Sequence, residues 1–160
     1  MITTQLSHDL ALLIVAKLGI RSLATAESCT GGQLAAALTG VDGSSKVFVG
    51  GVVAYADRVK INLLDVPASL IAADGVVSAE VAEAMAAGVK KTMDSVYALS
   101  STGFSGPSGG TLASPVGTVF IGLCGPDLSL SRRFSFAGSR SEITQQAVLA
   151  AFNLLLENIN

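Results

Sequence analysis

The sequence predicts an α/β protein built as a three-layer sandwich, a mixed β-sheet (mixed α+β in its strand directions) with helices on both faces. Three observations predict it. Strand-length apolar runs and helix-periodic segments follow the order α, β, α, β, α, α, β, β, β, α, counting two short helical pieces between residues 58 and 73 as one. Turns rich in glycine and small polar residues separate these segments. The 160 residues are 50% hydrophobic and 14% charged, which suits one compact domain over residues 1–160 with a sizeable core.

Each element has a local reason. Thr4 or Ser7 can cap a first helix whose apolar positions Leu6, Leu10, Leu13, Ile14 and Leu18 share a stripe; it ends near Lys17, with Gly19 as its C-terminal cap. Residues 21–26 read as a short strand, followed by a glycine turn and a helix over residues 32–38. After a loop at 42–46, residues 47–55 are almost wholly apolar with two glycines, which predicts a buried central strand. Val59, Leu63 and Leu64 share one side of a helix over 58–64 that Pro67 stops, and residues 67–73 read as a further turn of helix. Ser78 caps a helix reaching Met93, with Glu80 and Glu83 near its positive end. Residues 96–100, 116–123 and 128–136 read as strands, the last alternating Leu128, Leu130, Arg132, Phe134 and Phe136 on one side. Ser139 or Ser141 caps a final helix to Glu157.

Composition narrows the function classes. A net charge of −2 and a pI near 5.2 provide no general cationic field, so no nucleic-acid partner is expected. Apolar runs fall short of the roughly 20 residues that cross a bilayer, and no signal-peptide pattern opens the chain. The expectation is a soluble, cytoplasmic protein without a membrane partner. Two cysteines, Cys29 and Cys124, and one histidine, His8, give neither a disulfide framework nor a zinc-ligand set. No metal or cofactor is implied.

The chemistry concentrates in Thr25-Ala26-Glu27-Ser28-Cys29-Thr30-Gly31-Gly32. Such a turn directs backbone N–H groups outward at a helix start, beside two hydroxyls and a thiol, which suits an anion or a developing oxyanion. An ordinary tight turn is the alternative. Ser28 is a candidate nucleophile, but a serine needs a base, and His8 lies in a distant helix. A lysine starved of water can serve, since desolvation lowers its pKa. Lys60 is the best placed, with the Tyr55 hydroxyl near enough to relay a proton; a solvated pair with Asp57 is the alternative. Cys29 is a rival nucleophile or a buried core thiol. Glu27 either orients a substrate amide or caps the next helix. A second hydroxyl-rich and glycine-rich stretch, residues 100–110, follows a strand and can bring Thr102, Gly103, Ser105 and Gly106 close to a ligand, unless it is a flexible surface loop. Arg140 can hold a phosphate bidentately or stand in solvent. Arg132 and Arg133 read as the charges of a protected sheet edge.

The motif Ala26-Glu27-Ser28-Cys29-Thr30-Gly31-Gly32 is followed by Tyr55 with Lys60, then Asp74-Gly75-Val76-Val77-Ser78. Thr102-Gly103-Phe104-Ser105-Gly106-Pro107-Ser108-Gly109-Gly110, Pro115-Val116-Gly117-Thr118-Val119 and Phe136-Ala137-Gly138-Ser139-Arg140 complete the series. With these ordered motifs, the chain resembles the CinA C-terminal domain family, whose stand-alone members are nicotinamide-nucleotide amidases of pyridine nucleotide salvage. The resemblance implies hydrolysis of nicotinamide mononucleotide to nicotinate mononucleotide and ammonia, without a metal. On matching positions it implies Ser28 as nucleophile, Lys60 as general base and Tyr55 as its hydroxyl neighbour. It also implies homo-oligomers, dimers or higher, for which the mean hydropathy of +0.60 is a second reason. Two positions depart from the family pattern. Gly103-Phe104-Ser105-Gly106-Pro107 replaces Gly-Ile-Ala-Gly-Pro, and Ser139 stands where the family has an aspartate before the final arginine. Larger family members carry an additional N-terminal domain resembling molybdopterin-binding proteins, which is not expected in this chain.

Overall fold

Strand pairing sets the frame of the molecule. The computed structural model describes residues 2–160. The elements run α1 (Ile2–Leu18), β1 (Leu23–Glu27), α2 (Gln33–Thr39), a 3-10 turn (Ser44–Lys46), β2 (Phe48–Val53), α3 (Asp57–Leu64), α4 (Ala68–Asp74), α5 (Ala79–Thr92), β3 (Tyr97–Gly103), β4 (Thr118–Gly125), β5 (Leu128–Ser135) and α6 (Arg140–Asn158). The five strands lie in the order β2-β1-β3-β4-β5. β1 is parallel to both β2 and β3, whereas β4 and β5 run antiparallel to their neighbours. This is the mixed α/β sheet expected from the sequence.

Side-chain alternation along the strands divides the core into two layers. Leu23, Leu99, Ile121 and Leu123 join Ile14, Leu34, Leu38 and Phe152 of α1, α2 and α6 on one face. Ala24, Ala26 and Ala98 join Leu64, Val81, Met85 and Val89 of α3 and α5 on the other. The small alanines on that second face let α5 lie close across the sheet. Gly88 of α5 continues the close approach, because a Cβ there would run into the Leu64 carbonyl at the end of α3. The Thr92 hydroxyl also donates to Leu63 O at 3.0 Å, so α3 is tied to α5 at its C-terminal end.

Caps agree with the sequence at two helices. Ser78 accepts from Val81 N at the start of α5, and Ser139 forms a capping box with Glu142 at the start of α6. Two expectations are corrected. The first helix begins by Ile2, so Thr4 and Ser7 lie inside it, and the Ser7 hydroxyl donates back to Thr4 O instead of capping. Its buried side is made by Ala11, Ile14 and Leu18, while Leu6 and Leu13 face outward, because α2 and α6 cover only part of the predicted stripe. The second correction concerns β2, which is an edge strand and not a central one. Glycines at 50 and 51 put no side chain on either face, and Val49 and Val53 are each 51% exposed.

Candidate active site

Parallel strands β2, β1 and β3 end on the same side of the sheet, where open α/β sheets hold ligands. Glu27, the last residue of β1, is buried there, and its carboxylate organises the turn that follows. Oε2 accepts from Thr30 Oγ1 at 2.6 Å, Gly32 N at 3.0 Å and Leu34 N at 2.9 Å, while Oε1 accepts from Ala35 N at 2.9 Å. Four donors occupy this side chain, which therefore caps α2 from the preceding strand. Gly31 and Gly32 make the reversal with φ of 58° and 100°, left-handed values that a Cβ disfavours.

That turn fixes the backbone around the candidate nucleophiles. Ser28 is half-buried, and its N–H donates to Ser101 O at 2.9 Å, extending the β1–β3 pairing by one residue. The N–H of Gly31 donates to Ser28 O at 3.2 Å, and that of Gly32 goes to Glu27. Among the described residues, this leaves the N–H groups of Cys29 and Thr30 with no backbone acceptor, the pair a developing oxyanion would use. The Thr30 hydroxyl lies between Glu27 and the Ser101 hydroxyl, 2.7 Å from the latter. Cys29 is buried, and burial, only partly offset by a hydrogen bond with Ser101, pushes its thiol up to about 11.

Lys60 approaches the end of β2 from α3. Only 1% of its side chain is exposed, against 56% for Asp57, and the two charged ends are 3.6 Å apart. The pair with Asp57 forms, but with its lysine buried instead of on a solvated helix face. Lys60 Nζ also donates to Ala54 O at 2.8 Å. Ala54 N donates in turn to Glu27 O at 2.7 Å, so one peptide chain links the lysine to the residue before Ser28. Burial lowers the Lys60 pKa, outweighing the opposing effects of Asp57 and of the Cys29 thiol. A buried ammonium would need acceptors for three N–H bonds, and the neutral amine needs fewer.

A cleft of about 330 Å³ opens beside this centre, lined by Cys29, Thr30, Gly31, Tyr55 and Arg140 together with Gln33, Ser141 and Thr144. Tyr55 and Arg140 meet across it, with Arg140 Nη2 donating to the Tyr55 hydroxyl at 2.7 Å. Arg140 Nη1 donates to Gly106 O at 2.8 Å, which fastens the loop after β3 to the start of α6. Thr102 is placed elsewhere: it is buried and its hydroxyl donates to Val76 O at 2.8 Å. Ser105 is buried beside the Gly106 anchor, and Gly103 pairs with Val119 of β4. The sequence reading missed Gln33, Ser141 and Thr144. Gln33 Nε2 donates to Thr144 Oγ1 at 3.1 Å, joining α2 to α6. The available signal was a glutamine opening an otherwise apolar stretch after Gly32. Among the described residues, no group of three or more His, Cys, Asp or Glu is placed to hold a metal ion, and no helix is long and apolar enough to cross a membrane.

The sequence profile of the CinA C-terminal domain matches residues 5–159. A "CinA-like protein" from Geotalea daltonii is 47% identical over 134 residues, covering 84% of this chain and 32% of the relative. One from Anaeromyxobacter sp. (strain Fw109-5) is 45% identical over 150 residues, covering 92% of this chain and 37% of the relative. This chain thus spans about a third of the length of these curated relatives. Among solved structures, the competence/damage inducible protein CihA from Agrobacterium tumefaciens superimposes with a TM-score of 0.92 at 32% identity, over 95% of this chain and 94% of that one. A CinA superfamily protein from Escherichia coli gives a TM-score of 0.88 at 32% identity, over 97% of this chain and 89% of that one. With its motifs, its fold and nearly its whole length matched, the chain belongs to the CinA C-terminal domain family.

Proposed function

We propose that this chain is an amidase that converts nicotinamide mononucleotide into nicotinate mononucleotide and ammonia. The observation that carries the reading is Lys60: a buried amine of lowered pKa, held by the carbonyl of Ala54, whose N–H bonds to the residue before Ser28. Neutral Lys60 takes the Ser28 hydroxyl proton as Oγ bonds to the carboxamide carbon, and the carbonyl oxygen gains charge against the N–H groups of Cys29 and Thr30. The lysine returns that proton to the amide nitrogen, the C–N bond breaks, and ammonia leaves a nicotinoyl ester on Ser28. Water then attacks the ester, giving a proton to Lys60, which passes it to the departing Ser28 oxygen. Arg140 holds the phosphate at the far end of the cleft.

The test is ammonia release from the mononucleotide by the purified chain. Replacement Ser28→Ala should lower it about a thousandfold or more with the fold intact, and full retained turnover would remove the serine from the mechanism. The cysteine alternative is disfavoured because a thiol pushed up to about 11 remains protonated at neutral pH. Cys29→Ala should therefore keep turnover. Tight binding of the mononucleotide with no ammonia released would instead indicate a binding module.

A further inference from the structure

Arg140 is a cation without an anionic partner. Among the described residues no carboxylate stands within ion-pair distance of it. The preceding Ser139 is engaged in the cap of α6, its N–H and hydroxyl each donating to Glu142 Oε2 at 2.7 Å. The guanidinium is left with two neutral acceptors, Gly106 O at 2.8 Å and the Tyr55 hydroxyl at 2.7 Å. A phosphate monoester entering the cleft would bring the first full negative charge to that group, and charge-assisted bonds are about twice as strong as neutral ones.

The Tyr55 bond matters because of where Tyr55 sits in the chain. The carbonyl that receives Lys60 Nζ is that of Ala54, which belongs to the peptide joining Ala54 to Tyr55. Arg140 thus restrains, through one side chain, the residue whose backbone positions the buried amine. We propose that substrate phosphate takes Arg140 Nη2 from Tyr55 and so releases the residue next to the Ala54 carbonyl on which Lys60 Nζ rests, making phosphate an activator of the amide chemistry as well as a handle for binding. This rests on the amidase reading and deepens it: Arg140 is a positioning residue acting through Tyr55. Remote binding energy converted in this way appears in kcat, so a truncated substrate loses rate and not affinity alone.

The experiment compares nicotinamide mononucleotide with nicotinamide riboside, which lacks the phosphate. The riboside should show a kcat lower by about tenfold or more, and phosphite dianion added separately should recover part of it. In Tyr55→Phe the kcat of the two substrates should converge while the KM difference persists, and in Arg140→Gln phosphite should recover nothing. Equal kcat for both substrates in the wild type, or riboside turnover indifferent to phosphite, overturns the proposal. A second readout is independent of turnover. The chain has two tyrosines and no tryptophan, and the other, Tyr97, is buried, so a Tyr97→Phe background isolates the Tyr55 ultraviolet and fluorescence signal. If the mononucleotide releases no ammonia, the amidase reading fails while this signal still decides the coupling. A change on adding inorganic phosphate, lost in Arg140→Gln, upholds it, and an unmoved signal ends it.

Discussion

Lys60 of α3 lies 3.6 Å from Asp57, and Lys91 of α5 lies 2.9 Å from Asp65, so two lysines on one helical layer have the same kind of partner. Their surroundings differ in water. The Lys91 side chain is 77% exposed, and its hydrogen bond with Asp65 raises its pKa. The Lys60 side chain is 1% exposed, and burial lowers its pKa although Asp57 pulls the other way. When a partner is exposed and distant, desolvation outweighs attraction. The nearest acceptor then decides the geometry, which for Lys60 is a neutral carbonyl.

The largest effect expected from this contrast is on turnover. Lys60→Met keeps a long unbranched side chain in the buried channel and removes the proton acceptor, so ammonia release should fall about a thousandfold or more while circular dichroism is unchanged. A variant that retains turnover would return Lys60 to a purely structural status. The buried carboxylate of the same site provides the second effect. Glu27→Gln leaves one amide nitrogen facing backbone donors and removes the charge at the start of α2, at a cost of about 2 kcal/mol measured by urea denaturation.

The pH dependence of stability is a subtler measure of the same buried amine. Between the lowered Lys60 value in the folded chain and the ordinary 10.5, the unfolded chain binds the extra proton, so stability rises with pH across that window. The Cys29 thiol acts in the opposite sense from 9.0 to about 11, where the unfolded chain loses its proton first and stability falls. The rise owed to Lys60 should be missing from Lys60→Met, so urea midpoints of the variant should climb less with pH than those of the wild type. The smallest effect belongs to the exposed pair: Lys91→Met should leave both ammonia release and the melting temperature unchanged.

Much of the fold was legible because its signals are local. Ser78 and Ser139 cap the helices that follow them, and Gly31 and Gly32 turn the chain where the sequence places the turn. The position of β2 was not legible, because an apolar run is the same string in a central or an edge strand and only tertiary pairing distinguishes them. Lys60 illustrates the limit within the site. Its spacing from Asp57 is equally consistent with a wet helix surface, and its burial depends on α3 docking against α5 at Gly88, far along the chain. Gln33 and Thr144 are separated by 111 positions and meet only because α2 and α6 share a face of the sheet.

The Glu27 carboxylate has a consequence for motion. A helix of seven residues such as α2 would ordinarily fray from its first turn, exposing its leading amides to solvent many times a second. Here the amides of Leu34 and Ala35 end on a side chain rooted in a strand with neighbours on both sides. Their deuterium uptake is thereby coupled to opening of the sheet itself, so a short helix of the candidate site inherits the slow clock of the core.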